Sequence, residues 1–586
     1  MSIKQRIGRG FLLIAVLVLA CFSCPSLILA QEGEEDMVTL TVLGQVVNTQ
    51  RLAVPEAQVR LFVGGQQLTF QTSEGEDADA VETFVDGFYI MEVRLPRSTA
   101  EAISQGRIQV AMEVSGFTYR TVRQGLRARE IARAGDHYYV ETQSIVLPRV
   151  FNAAFFIATG IFLIVFVLIS LRVLHETMAA LAGAVTVLAI TYLAGSNHAD
   201  FHIIDFQHAV AHIDFEVIFL VLALMIFVAI VARTGVFQWL AFAAYRLARG
   251  RPWPLAVTLI LITAITSAFL NNVTVMLLMA PVTIEIALVL GIDPLAFLVP
   301  EVLASNIGGT ATLIGDPPNT LIGSYARLGF TSFLWNLAPV VVILTAAFIV
   351  MTWFIYRRAY AQAPTKPSAA LIARLEETSR ITDPALLRRS VIAAALTIIL
   401  FFIGDVFQMP PAVAALIGAT LLMIWARPSV AEMLEEVDWT TLVFFMALFM
   451  LVGALQDLGV IQVIAEAIKG LAGDSLTTAV LLILWVPAIG SAIVANIPFA
   501  AAMLPVTAYL SHTIPGAENN VLWWALALGT CLGGNATIIG AAANIITAGI
   551  SDRAGYPLTF TRFLRVGAPV TFVILLLSTA YLLVRY

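Results

Sequence analysis

Long apolar runs separated by short polar joints dominate the chain from Phe151 to Tyr586. Runs of 18 or more apolar residues read as membrane-spanning helices, and their number predicts roughly ten spans of about 20 residues each. Two amphipathic stretches, Gly235 to Ala248 and Gly459 to Ala472, are too charged to cross and are expected along the interface. Two long runs, Pro254 to Leu290 and Leu476 to Leu510, carry a polar kink in mid-course, which predicts re-entrant helical hairpins. Two others, Leu295 to Ile322 and Trp523 to Ile550, contain S-N-I-G-G-T-A-T-L-I-G-D-P-P-N (305–319) and L-G-G-N-A-T-I-I-G-A-A-A-N (532–544). Gly, Asn and Thr at that density break a helix, and hydrocarbon tolerates a broken helix only where a cavity or protein satisfies the freed backbone. Broken helices of this kind build ion and substrate sites near the bilayer midplane.

The N-terminal quarter has another rhythm. Lys4, Arg6 and Arg9, an apolar run from Phe11 to Phe22 and Ala30 before an acidic stretch make residues 1–30 a signal peptide or, alternatively, an uncleaved or lipidated anchor. Period-two runs (Val38 to Val47, Gln58 to Val63, Phe88 to Leu95) between Gly, Pro and Asp clusters predict a small β-sandwich over residues 31–148. The leader places it outside the cytoplasm. Its segments G-Q-V-V-N, V-P-E-A-Q-V-R-L and D-G-F-Y-I resemble the carboxypeptidase regulatory-like sandwich, which implies an accessory module.

Arginine placement orients the spans. Arg233, Arg246, Arg249 and Arg251, then the connector 357–389 with seven Lys and Arg, then Arg427, and Arg553, Arg562 and Arg565 mark the cytoplasmic face. The expected units are a first membrane repeat at 149–356, a cytoplasmic linker at 357–389 and a second repeat at 390–586. Asp214, Gly235, Ser267, Asn272 and Pro281 recur 224 positions later as Asp438, Gly459, Ser491, Asn496 and Pro505. Gly308, Thr312, Gly315 and Asn319 recur 225 positions later as Gly533, Thr537, Gly540 and Asn544. An odd number of crossings separates the copies, so the repeats are inverted, the architecture of alternating access around a fixed central site.

Composition sharpens this picture. A hydrophobic fraction of 59%, a charged fraction of 12% and a mean hydropathy of +0.89 belong to an all-α polytopic membrane protein with a small extracytoplasmic domain. The net charge of −6 and the scattered arginines offer no nucleic-acid surface. Cys21, Cys24 and Cys531 provide no disulfide framework. No Walker, G-x-S-x-G or H-E-x-x-H sequence is present, which argues against ATP-driven pumping and intramembrane catalysis.

The candidate site has a polar half in each repeat. Asn271, Asn272, Thr274, Asn306, Gly308, Gly309, Thr310, Thr312, Asp316 and Asn319 form the first; Asn496, Gly533, Gly534, Asn535, Thr537 and Asn544 form the second. Amide and hydroxyl oxygens suit a hard cation, with Asn272 and Asn496 as sodium ligands, while half-helix N-termini suit an anion, so either sign fits. Small residues that merely permit close helix packing are the competing reading. Asp316 is either an ion- or proton-carrying carboxylate or a helix cap. Glu285 and Glu301 are expected in cap or interface roles, and Asp457 at a wetted outer end. His198, His202, His208 and His212 share one outer loop, either as a metal site or as a solvated, pH-sensitive rim. No Lys or Arg lies in the central set.

S-A-F-L-N-N-V-T, N-I-G-G-T-A-T-L-I-G-D-P-P-N, A-N-I-P-F-A-A-A-M-L-P and C-L-G-G-N-A-T-I-I-G-A-A-A-N resemble the ion-transporter superfamily. It includes arsenite permeases, the NhaD sodium/proton antiporters, the divalent-anion/sodium symporters and the melanosomal P protein, whose branch the motifs and domain order resemble most. The resemblance implies a scaffold domain mediating a homodimer and a transport domain that moves like an elevator. In the symporter branch a Ser-Asn-Thr tip motif binds sodium; here the tips read Asn271-Asn272-Val273-Thr274 and Ala495-Asn496-Ile497-Pro498, a departure that bears on sodium and carboxylate as ligands. The expected function is sodium- or proton-coupled secondary transport of a small inorganic or organic ion in the plasma (inner) membrane. Sodium/proton exchange and small-anion or oxyanion transport stay open, as do a chloride channel on the same scaffold and a membrane sensor using the sandwich.

Overall fold

The computed structural model describes residues 37–48, 54, 57–71, 77–84, 87–116, 119–126, 131–134, 137–141, 144–147, 151–361, 376–377 and 379–586. The expected signal peptide, residues 1–30, lies outside them. The described chain divides into a β unit and a helical unit.

In the β unit, strand β1 (Met37–Asn48) pairs antiparallel with β3 (Phe88–Pro96) and parallel with two strands near the end of the unit, His137–Glu141 and Ile145–Leu147. A second sheet is built on β2 (Gln58–Val63), antiparallel to β4 (Val110–Gly116). Alternation decides the faces: Val38, Leu40, Val42, Val59, Leu61, Tyr89, Met91 and Val93 are buried, while Phe88 and Ile90 are exposed. The two sheets are those of the expected small sandwich.

The helical unit opens with α1 (Ala153–Ser170) and α2 (Glu176–Ile190). There follow α3 (Phe215–Ala232), α4 (Val236–Leu247), α5 (Pro252–Phe269), α6 (Asn272–Val289), α7 (Leu295–Gly309), α8 (Pro317–Tyr325) and α9 (Phe330–Ala361). The second series is α10 (Pro384–Phe407), α11 (Pro411–Ala426), α12 (Trp439–Asp457), α13 (Val460–Ala472), α14 (Leu476–Ile493), α15 (Asn496–Thr513), α16 (Val521–Gly533), α17 (Ala542–Arg553) and α18 (Phe560–Arg585). Among the described residues ten helices are long and apolar enough to cross a membrane. The chain is a multi-pass membrane protein.

The local devices repeat along with the helices. Asp214 caps α3 by accepting from the Val217 amide, and Asp438 caps α12 by accepting from the Thr441 amide. Gly235 and Gly459, with φ of 76° and 73°, turn the chain into α4 and α13, a left-handed conformation that favours glycine. Helix α5 packs on α7 as α14 packs on α16, and α3 packs on α11 as α12 packs on α2. The helical correspondence therefore takes in α1–α2 and α10–α11, where no sequence match is visible.

One boundary differs from expectation. Helix α9 continues to Ala361 and α10 begins at Pro384, so both intrude on the connector expected over 357–389. The Tyr360 hydroxyl donates to the Ala296 carbonyl at 2.8 Å, and its ring packs on Phe297 and Trp253, which holds the end of α9 against the hairpin. Of the rest of the connector, residues 362–375 and 378 lie outside the described residues.

Candidate functional site at the meeting of two broken helices

Each hairpin turns within two residues. At the first tip Leu270 is extended, and the Asn271 side chain caps α6 by accepting from the Val273 amide at 3.0 Å. At the second, Val494 and Ala495 are extended, and Pro498 stands in the first turn of α15, where its missing N–H costs nothing. Asn272 and Asn496 are thus the first residues of their helices, aimed inward from the tips.

The breaks are built alike. Asp316 and Ala541 hold nearly the same extended backbone before α8 and α17 (φ −140° and −143°). Broken helices leave carbonyls without partners, and one asparagine in each repeat supplies them. Asn319 Nδ2 donates to the Thr310 and Thr312 carbonyls (3.1 and 2.8 Å); Asn544 Nδ2 donates to those of Gly534 and Thr537 (2.8 and 2.9 Å). The Thr312 hydroxyl donates to the Ala268 carbonyl, and that of Thr537 to the Ala492 carbonyl at 2.7 Å, tying each break to its hairpin. Glycine lets the backbones touch. A Cβ on Gly308 would stand 2.1 Å from the Ala264 carbonyl oxygen, and one on Gly533 would stand 2.4 Å from that of Ala488. Gly309 and Gly534 close in the same way on Gly315 and Gly540. These eight residues, offered by the sequence as ligands, are engaged in holding the backbone.

The remaining polar side chains converge. Asn306 Nδ2 donates across the repeats to Asn535 Oδ1 (2.8 Å) and Asn544 Oδ1 (3.0 Å), and its own Oδ1 accepts from Asn272 Nδ2 (3.0 Å). Cys531, the residue corresponding to Asn306, makes the reciprocal contact from its thiol to Asn319 Oδ1 (3.4 Å). At the focus is Asp316, 1% exposed. Its Oδ1 accepts from Asn272 Nδ2 at 3.2 Å and from Asn496 Nδ2 at 3.4 Å, so one carboxylate touches both hairpin tips. It precedes α8, but its side chain caps no amide, which removes the cap reading. Among the described residues no Lys or Arg is ion-paired with this cluster.

Three expected members sit elsewhere. The Thr310 hydroxyl bonds back to the Asn306 carbonyl (2.9 Å) within its own helix. Asn271 and Thr274 line a small space of about 20 Å³ together with Val221, Leu224 and Met225 of α3. Several participants escaped the sequence reading: Cys531, and the pair Ser267 and Ser305, whose hydroxyls lie 3.3 Å apart directly beneath the Asn272 carbonyl. Ser267 and Ser491, which recur across the repeats, carried that signal.

The other acidic and histidine expectations divide. Glu301, expected as a cap or interface residue, is wholly enclosed; just before α7 it is Asp293 that accepts from the Leu295 amide at 3.0 Å. Asp457 accepts from His212 Nε2 at 2.9 Å, and His208 pairs with Asp205 at 2.6 Å. Backbone and side-chain hydrogen bonds from His208 hold Asp205 below the usual carboxylate range. Among the described residues no group of three or more His, Cys, Asp or Glu could hold a metal.

The donor set suits a hard monovalent cation: one carboxylate and two amides, whose rotation would turn N–H donors into carbonyl oxygens. The same carboxylate can instead take a proton.

A family model described as "Citrate transporter" (CitMHS) matches residues 164–529. An uncharacterised transporter of Mycobacterium tuberculosis is 39% identical over 431 residues, which is 73% of this chain and 98% of that protein. The human P protein is 34% identical over 507 residues, covering 73% of this chain and 60% of its own length. The crystal structure of the Alcanivorax borkumensis YdaH transporter aligns with a TM-score of 0.48 at 14% identity, over 70% of this chain and 98% of that one. The chain belongs to the citrate transporter family of membrane transporters.

Proposed function

We propose that the protein is a secondary-active cation/proton exchanger in which Asp316 carries sodium and a proton by turns. The observation behind this reading is the contact of one buried carboxylate with Asn272 and Asn496, the tips of both hairpins. A lone carboxylate holds a cation or a proton but not both well, and that exclusion couples one flux to the other. Citrate, named by the family, would bring three negative charges to a centre that already has one and that, among the described residues, has no paired Lys or Arg. Without a co-bound cation, repulsion in a low dielectric disfavours it.

In the proposed cycle the hairpins and broken helices move like an elevator against a scaffold containing α10 and α11. The protein works as a homodimer in the plasma membrane, with the sandwich outside the cytoplasm. The test is sodium uptake into sealed vesicles driven by a pH gradient. The wild type is expected to accumulate sodium against its gradient and Asp316→Asn to fail. Gradient-driven uptake surviving in Asp316→Asn refutes the assignment. Downhill chloride flux without uphill sodium movement favours the channel instead.

A further inference from the structure

Fifteen positions before Asp316, on α7, lies a second enclosed carboxyl group. Glu301 is 0% exposed. The Thr263 hydroxyl of α5 donates to its Oε1 at 3.1 Å. Its Oε2 and the hydroxyl of Thr283 on α6 lie against each other, and among the described residues neither has another hydrogen-bond partner. The Thr283 hydroxyl can accept from a protonated Oε2 or donate to an ionised one while Oε1 goes on accepting from Thr263, so hydrogen bonding accommodates either state.

Charge accounting favours the neutral acid. Among the helices packed on α7, α5 has no titratable residue, and α6 has only Glu285, which is exposed on the other side of the helix. Helix α9 faces α7 with Tyr360, whose hydroxyl is committed to Ala296 one turn below. Helix α16 offers only Cys531, beside Asp316, and α17 only Asp552 and Arg553 at its far end. A carboxylate enclosed without a cation is costly, so the group holds a proton or does not stay.

The second repeat shows that the fold does not need an acid here. It keeps Thr507 where the first has Thr283, but places Leu526 opposite Glu301 and Pro487 opposite Thr263. Asp316 faces the same contrast with Ala541. Both enclosed acids therefore belong to one repeat. Hydroxyls at helical spacing lie between them: Thr263 donates to Glu301, Ser267 and Ser305 are 3.3 Å apart, and Ser305 donates to the backbone carbonyl of Asn272, whose side chain donates to Asp316.

We propose that Glu301 is a second proton-binding site of the transport cycle, donating through Oε2 to Thr283 and exchanging its proton with the central site. No bond other than O–H is made or broken: the proton leaves Glu301 as a carboxylate forms, and Asp316 gains it as its cation leaves. The inference rests on the exchanger reading, and its test separates the two. In reconstituted full-length protein, Glu301→Gln is expected to slow pH-driven sodium uptake at least tenfold while retaining sodium-for-sodium exchange, which needs no net proton movement. Unchanged pH-driven uptake, or loss of both modes, overturns the proton role. Infrared spectroscopy reads the group without transport. The protonated-carboxyl stretch that persists in Asp316→Asn is expected to vanish in Asp316→Asn/Glu301→Gln, and its persistence there overturns the proposal even if sodium proves not to be the cargo.

Discussion

Asn496 reaches Asp316 from the opposite repeat, its amide nitrogen 3.4 Å from one carboxylate oxygen and 3.5 Å from the other. The two residues are 180 positions apart. Because Ala541 stands where the second repeat would have its own aspartate, the two-fold scaffold encloses a one-fold charge. That asymmetry separates the carboxylate proposed to carry the ion from the groups that build the frame.

Frame residues respond to steric change. Gly308→Ala and Gly533→Ala each force a methyl group into a carbonyl, and overpacking of that kind costs about 1–3 kcal/mol or more. Thermal unfolding in detergent is expected to fall by several degrees for both. Gly549→Ala is the control: its Cβ would meet only the end of Arg553 at 3.7 Å, and its stability should match the wild type.

Among the described residues, Asn319→Ala and Asn544→Ala strip two carbonyls each of their side-chain donor, and the Thr537 carbonyl keeps the Gly540 amide. Leaving a buried polar group unpaired costs roughly 1–3 kcal/mol. Both variants should lose stability by similar amounts, measured as thermal midpoint or yield of monodisperse protein, before any effect on ion selectivity is seen. A stable Asn319→Ala with altered selectivity would return that residue to the ligand set.

Cys531 is enclosed beside Asn319 and Asp316, so thiol reagents should reach it only when the hairpins part from the breaks. With Cys21 and Cys24 replaced by serine, maleimide labelling is expected to be slow and to depend on which ion is supplied. Fast labelling, indifferent to sodium and pH, would place the thiol on an open path.

Much of this architecture is legible in the sequence. The kinks at Asn272 and Asn496 are the hairpin tips, and S-N-I-G-G-T and L-G-G-N-A-T are the breaks, because Gly and Asn interrupt a helix wherever they cluster. What stayed hidden was the division of labour. Thr312 and Asn319 read as ligands because their composition is polar, yet composition cannot tell whether a side chain faces a cavity or a stray carbonyl. Asp316 read equally well as a cap, since Asp before Pro-Pro is a common helix start; only its neighbours show that the side chain turns the other way. Glu301 reads as a cap or interface residue in the sequence but is enclosed, because distance along a helix from its cytoplasmic end says nothing of what packs around it. The likeness of α1–α2 to α10–α11 left no residue pattern, because lipid-facing helices are constrained by hydropathy and not by identity.

The central claim is that both repeats serve one cation. Sodium binding to the purified protein, measured by calorimetry for Asn272→Ala, Asn496→Ala and the double variant, tests it most directly. Each single change removes a contact to a charged group, worth about 1.5–3 kcal/mol, so affinity should drop roughly 10- to 150-fold. The double variant should lose less than the sum, because the two amides share Asp316. Additive losses, or one asparagine without effect, would contradict a shared site.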